Sequence, residues 1–172
     1  TAWGPGSDAT VTIDAAVETE DGALWFAGGS AGLLRVESQG ADAELVTDGP
    51  SSPTPLQVDA EGLLWVADIE GDLWRYDDAW MPMPQSGVLE HVVALAAAPD
   101  GGIWVTFQSA VARLANGEWS TFASADGLPE GPYRALAIGF DGYVWCAGAH
   151  GLARYNGADW QDMTPEASLP HQ

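Results

Sequence analysis

Four tryptophans, Trp25, Trp65, Trp104 and Trp145, follow one another at intervals of 40, 39 and 41 residues. Self-similarity at a fixed period of that size marks an array of equal supersecondary units, none of which buries its apolar face alone. Each indole lies in a short apolar run, at 24–27, 64–67, 103–106 and 144–147. A glycine turn precedes each run, at Asp21-Gly22, Glu61-Gly62, Asp100-Gly101-Gly102 and Asp141-Gly142. Such dipeptides supply the positive φ that a tight hairpin demands. Before each turn stands another strand candidate, mostly small or β-branched, at 11–18, 56–59, 92–98 and 133–138.

Nine or ten residues after each indole comes an arginine: Arg35, Arg75, Arg113 or Arg154. Three of these strands are followed by a turn (Asp77-Asp78, Asn116-Gly117, Asn156-Gly157) and then by Trp80, Trp119 or Trp160. The fourth strand of the first unit, at 44–47, lacks that tryptophan. Four short strands in a unit of this length, with no helical periodicity, predict an all-β propeller of four four-stranded antiparallel blades. The single domain spans 1–172, with blades near 10–50, 51–86, 87–125 and 126–165. Four of the five basic residues thus occupy one equivalent position, which assigns them a structural role. The expected role is a charge-assisted bond to a carboxylate or carbonyl, with stacking on a neighbouring indole. Seven of the nine tryptophans are likewise repeat positions expected to fill the space between blades; Trp3, Trp74 and Arg134 stand off the pattern.

Four blades are the lower limit for a closed propeller. The first unit opens with its innermost strand and the last ends with its outermost, so no strand exchange latches a ring. The tail at 164–170 repeats the linker style of 125–129, like the lead-in to a fifth unit. Three architectures follow: a closed four-blade ring, a ring completed by a second copy or another subunit, or part of a larger ring. An open array exposes two apolar blade faces, which soluble monomers rarely tolerate. That argument favours the closed ring, narrowly, over a homo-oligomer. A start at Thr1 without methionine reads as a processed product or an excised segment.

Charge excludes one class of partner. Against 25 acidic residues stand five arginines and no lysine, a net charge of −20, and nucleic-acid binding needs clustered cations. No apolar run is long enough to cross a bilayer as a helix and no polybasic cluster suggests membrane docking. A high-salt habitat and an acidic extracytoplasmic surface both fit, the latter implying a periplasmic or secreted protein. Cys146, the single cysteine, sits beside Trp145 in a strand pattern and reads as an inert buried thiol.

The segment Ala125-Asp126-Gly127-Leu128-Pro129, then a strand, then F-D-G-Y-V-W-C-A-G-A-H-G-L-A-R-Y-N-G-A-D-W at 140–160, resembles the two-component regulator propeller repeat. Blades of that type build the periplasmic sensing region of bacterial hybrid sensor kinases and occur in stand-alone secreted proteins. The similarity covers all four units, best in the last two. It implies a sensor-like propeller and carries no ligand over, because the repeated residues are structural. No kinase segment accompanies it here, so signalling is not carried over. The D-G…W and Y-N-G…W elements are also similar to tectonin-type lectin blades, and G-x-[LI]-W-type repeats are similar to those of some propeller lyases.

In a propeller, loops between second and third strands share one face with the linkers between blades, and binding residues gather on such loops. Here these are 28–32, 68–71, 108–110 and 148–151, with linkers 48–55, 84–91 and 124–133. Asp68, Glu70, His91, Gln108, Tyr133, Arg134 and His150 are the candidates to converge there. Unlike residues at equivalent loops suggest one asymmetric site. Each also has a plain reading: His150 and His91 as solvated turn residues, Arg134 as partner of Glu130, Asp68 and Glu70 as two carboxylates among many. Three function classes result. The first is a non-catalytic recognition or assembly module for a protein partner, a larger assembly or a small ligand. The second is a lectin-like protein using Trp74, whose equivalents are Leu34, Ala112 and Ala153. The third is a lyase-type enzyme using His150 with Arg134 or Tyr133. No cofactor is expected: the three histidines lack ligand spacing. No alternating Asp/Asn calcium loop occurs, although an incidental calcium ion between acidic loops stays compatible with the composition.

Overall fold

A computed structural model of the chain describes residues 12–164, other than 38, 39 and 89. Trp3 and the tail beyond Thr164, which holds the third histidine, His171, lie outside the described residues. Among the described residues sixteen strands form four separate antiparallel sheets in simple meander order. The first holds β1 (Ala15–Glu18), β2 (Leu24–Ala27), β3 (Leu33–Val36) and β4 (Glu44–Val46); the second β5 (Leu56–Val58), β6 (Leu64–Ala67), β7 (Leu73–Asp77) and β8 (Ala79–Pro82). The third holds β9 (Ala94–Ala97), β10 (Ile103–Thr106), β11 (Val111–Ala115) and β12 (Glu118–Phe122). The fourth holds β13 (Tyr133–Ile138), β14 (Val144–Gly148), β15 (Gly151–Tyr155) and β16 (Trp160–Asp162). The helical residues described amount to two short 3-10 turns, at Gly29–Ala31 and Ser124–Asp126. The fold is the predicted array of propeller blades.

One register repeats in all four sheets. Trp25 faces Arg35, Trp65 faces Arg75, Trp104 faces Arg113 and Trp145 faces Arg154 across the central strand pair. The spacing differs by one residue between the first and last two blades, and the loop joining the two strands absorbs it. Side chains directly opposite on one sheet face touch, so each guanidinium lies over its indole, at 5.2, 5.9, 5.7 and 5.7 Å from the ring centroid. The carboxylate half of the expectation holds in two blades. Arg35 pairs with Asp21 and Glu37, and Arg113 with Asp100 at 2.6 Å. Arg154 instead donates to Gln161 at 2.9 Å and covers Tyr143.

The turn before each indole is held by its own side chain. Gly22 and its equivalents Gly62, Gly101 and Gly142 have φ near 80°, the left-handed region where a Cβ is strained. In the second blade Asp59 accepts the Leu63 amide (2.9 Å) and the Glu61 amide (3.1 Å) on one oxygen and the Trp65 indole N–H (2.7 Å) on the other. Asp59→Ala removes three acceptor contacts at once, and its unfolding free energy is expected to fall by about 1–3 kcal/mol. Chemical denaturation followed by tryptophan fluorescence reads this, and an unchanged midpoint would refute the clamp.

Between consecutive sheets lies an apolar core. Trp25, Ala27 and Leu33 pack on Leu64 and Val66; Trp65, Ala67 and Leu73 pack on Ile103 and Val105; Trp104 and Val111 pack on Val144, Cys146 and Ala153. The innermost strands contact in sequence, β1 with β5, β5 with β9 and β9 with β13. Among the described residues no comparable core or strand packing joins the fourth blade back to the first. The narrow preference for a closed four-blade ring is therefore corrected: the described residues form an open arc. The solubility argument concerned what the ends expose, whereas sheet packing sets how far each blade turns from the last.

Candidate functional site

The loops after β2, β6, β10 and β14 and the linkers between blades interlock along one face. Ser51 donates its hydroxyl to Glu70 at 3.4 Å, and Gly71 backs directly onto the Glu90 carbonyl. Glu90 accepts the Ser109 amide at 3.0 Å, the Gln108 carbonyl accepts the Tyr133 amide at 3.1 Å, and the Pro132 carbonyl accepts the Ala149 amide at 3.0 Å. A continuous rim results, running from the second blade to the fourth. Gly71 tolerates no Cβ because a carbonyl occupies that space, and its φ of 89° forbids one independently.

The side chains nominated from sequence divide by exposure. Glu70, His91, Gln108, Arg134 and His150 are solvent-exposed. Arg134 makes no ion pair with Glu130 among the described residues. Asp68 and Tyr133 are buried. One Asp68 oxygen accepts the Asp72 amide (2.9 Å) and the other the Trp74 indole N–H (3.1 Å). Burial raises the Asp68 carboxyl above its ordinary range, with a smaller push from Asp72 and Glu70, against these two bonds. Asp68 and Trp74 are thus each other's partners in the β6–β7 turn. The Tyr133 hydroxyl donates to the Pro129 carbonyl at 2.7 Å, and burial pushes its pKa to about 12. Burial likewise pushes the Cys146 thiol to about 12, the behaviour of an unreactive interior cysteine.

Glu90, Ser109 and Ile69 were missed by sequence reasoning. Burial works to raise Glu90, but hydrogen bonds from the Ser109 hydroxyl and the Ser109 and Gln108 amides outweigh it and hold the carboxyl below its usual range. Ile69 is 56% exposed on the rim beside Glu70; a branched apolar residue inside an acidic loop was the available signal. Among the described residues no cluster of three or more potential ligands is placed to hold a metal ion, and no helix is long and apolar enough to cross a membrane. Two shallow cavities lie among the turns and linkers. One, about 220 Å³, is lined by the acidic turns holding Glu20, Asp21, Glu61, Asp77 and Asp78; the other, about 280 Å³, by Phe122, Asp126, Asp159 and Trp160.

No protein-family model matches the chain, and no curated protein matches its sequence. Solved structures do. An extracellular domain attributed to a hybrid two-component system of B. thetaiotaomicron aligns with a TM-score of 0.75 at 14% identity, over 90% of this chain and 23% of that one. The virginiamycin B lyase of Staphylococcus aureus aligns with a TM-score of 0.73 at 16% identity, over 95% of this chain and 58% of that one. A gluconolactonase of Xanthomonas campestris aligns with a TM-score of 0.63 at 18% identity, over 92% and 63%. The chain therefore spans between about a quarter and three fifths of these proteins. At such identities the likeness is one of fold: extracellular sensor-type domains and propeller enzymes are both structural neighbours.

Proposed function

We propose that the chain is a non-catalytic recognition module of the sensor-propeller type, working outside the cytoplasm and binding a protein segment or small ligand across the interlocked rim. One observation carries this reading: the rim presents Ile69, Glu70, Gln108, Ser109 and His150 outward from a backbone-tied scaffold, while Asp68, Tyr133 and Cys146 are buried or bonded. Exposed, unlike side chains on rigid loops suit recognition, and the Asp68 carboxyl, Tyr133 hydroxyl and Cys146 thiol are committed to structure. The extracellular origin of the B. thetaiotaomicron neighbours and the repeat resemblance support the compartment and the family type.

A thermal-shift screen of defined peptides and oligosaccharides tests the proposal, because a ligand that binds only the folded state raises Tm by mass action. Any hit is expected to vanish in a protein carrying Glu70→Ala, Gln108→Ala and His150→Ala, whose unliganded Tm stays near wild type since all three side chains are exposed. A hit that survives the triple substitution would overturn the rim as the site.

Two alternatives weigh less. A lectin reading loses the polar end of its named residue, because the Trp74 indole N–H is bonded to Asp68. A lyase reading draws on the Staphylococcus aureus neighbours, one of which is described as catalytically inactive after a histidine-to-alanine change. In this chain it rests on His150, whose loop is tied to the Tyr133–Arg134 segment through the Ala149 amide. Turnover of a streptogramin B antibiotic that disappears in His150→Ala would establish it in place of the recognition module.

A further inference from the structure

The open arc ends in two faces whose equivalents are buried everywhere else. Each interior joint sets a face bearing the repeat tryptophan against a face bearing the flanking apolar pair of the next blade. Trp25, Trp65 and Trp104 are 2%, 6% and 2% exposed, covered by the blade that follows. Trp145 is only half-buried, and Ala135 and Ala137, on its side of β13, are exposed. Leu152 is half-buried where Leu33, Leu73 and Val111 are buried. The first blade shows the reverse deficit. Leu24 and Phe26 are half-buried, although Leu64 and Val66, Ile103 and Val105, and Val144 and Cys146 are buried by the preceding blade. Ala16 is exposed where Leu56 and Leu95 are buried.

The two free faces are therefore the two unlike halves of a joint that the chain already makes three times. Phe140 adds a specific fit. It occupies the position of Glu20, whose side chain lies against the turn at Gly62 of the next blade. Phe140 itself is fully exposed, and no blade among the described residues covers it.

We propose that a second copy of this chain covers both faces. The fourth blade of each copy docks on the first blade of the other, with Trp145 against Leu24 and Phe26 and Phe140 over the Gly22 turn. The joint is head-to-tail, and two such joints related by a two-fold axis close into a ring. That ring has eight blades, within the range propellers adopt. Because the second joint forms within an already associated pair, the two reinforce each other. Mutual repulsion between two chains of net charge −20 opposes association, so the dimer tightens as salt rises.

Light scattering on the 172-residue chain across protein concentration, at low and high salt, tests this. The expected mass is twice the 18.0 kDa of one chain. Ala137→Glu and Ala16→Glu place a charge on one free face each, at positions exposed in the single chain, so folding is retained. Each alone is expected to weaken the dimer by at least about 100-fold, because both joints are hit. Mixing the two variants restores one native joint, between the intact fourth blade of Ala16→Glu and the intact first blade of Ala137→Glu. A weaker, concentration-dependent dimer is expected from that mixture. A wild-type chain that stays at 18.0 kDa under all conditions would overturn the proposal. So would a dimer indifferent to both substitutions, or a mixture no more associated than either variant.

Discussion

Trp104→Ala is expected to lower the unfolding free energy by about 3–5 kcal/mol, the usual cost of deleting a buried large aromatic side chain. Trp104 is the centre of the joint between the third and fourth blades. Its ring stacks on Phe122 at 5.7 Å, leans on Tyr155 at 5.2 Å and meets Trp160 edge-on at 5.8 Å. Phe122, Tyr155 and Trp160 also touch one another, so the cavity left behind is walled by rings braced by sheet backbone and collapses poorly. Edge-to-face and stacked contacts are worth about 0.5–1.5 kcal/mol beyond their buried area, and Arg113 loses the π face beneath it. Tm is expected to fall by roughly 6–20 °C for a domain of this size. Calorimetry at fixed pH and high salt measures it, and a loss below about 1.5 kcal/mol would mean the joint does not hold the blades together. The same change at the equivalent Trp145 should act mainly on mass in solution, since among the described residues no further blade covers that ring.

The contrast between Trp104 and Trp145 also marks where the sequence stops being legible. Their spacing, flanking strands and partner arginines are the same, and from these the blade, its register and the Trp–Arg contact all follow. Nothing local distinguishes a tryptophan that will meet another sheet from one left at the end of an arc. Ring closure depends on the angle accumulated from blade to blade, which no residue pattern encodes by itself. The rim was legible as a set of loops, because strand–turn–strand order dictates which loops share a face. The chemistry of its members was less so. Asp68 and Trp74 were nominated separately as site residues, yet the hairpin between them makes them a bonded pair.

A signal for that pairing existed: a side-chain acceptor oxygen, from Thr or Asp, six residues before an indole. Thr19 accepts from Trp25 at 3.2 Å, Asp59 from Trp65 at 2.7 Å and Asp68 from Trp74 at 3.1 Å. A short hairpin returns the chain over that interval, so the spacing itself predicts the bond. Ala98 and Gly139 stand at the same interval before Trp104 and Trp145 and offer no side-chain acceptor.

Stability is expected to be flat from neutral pH to about pH 9 and then to fall steeply towards pH 12, driven by two interior acids. The Cys146 thiol, held at about 12 by burial against an ordinary 9.0, lies under Trp104 and Trp160 in the joint between the last two blades. Tyr133, also at about 12 by burial against an ordinary 10.0, belongs to the same core. In the unfolded chain each releases its proton at the ordinary pKa, whereas the folded chain retains both protons until about pH 12. Folded pKa values raised in this way leave their stabilising contribution intact below pH 9 and remove it as pH climbs through the folded values. A thiolate confined to that interior costs up to about 4 kcal/mol, the larger of the two effects. Cys146→Ala should therefore trade a small loss of packing at neutral pH for a shallower alkaline decline. Tyr133→Phe should show a shallower decline too, but from a lower start, because the Pro129 carbonyl loses its donor at a cost of about 1–3 kcal/mol. Urea midpoints collected from neutral pH to about pH 11 for the three proteins decide the matter. An alkaline limb of unchanged slope in Cys146→Ala would show that the thiol titrates freely and that water reaches the joint beneath Trp104.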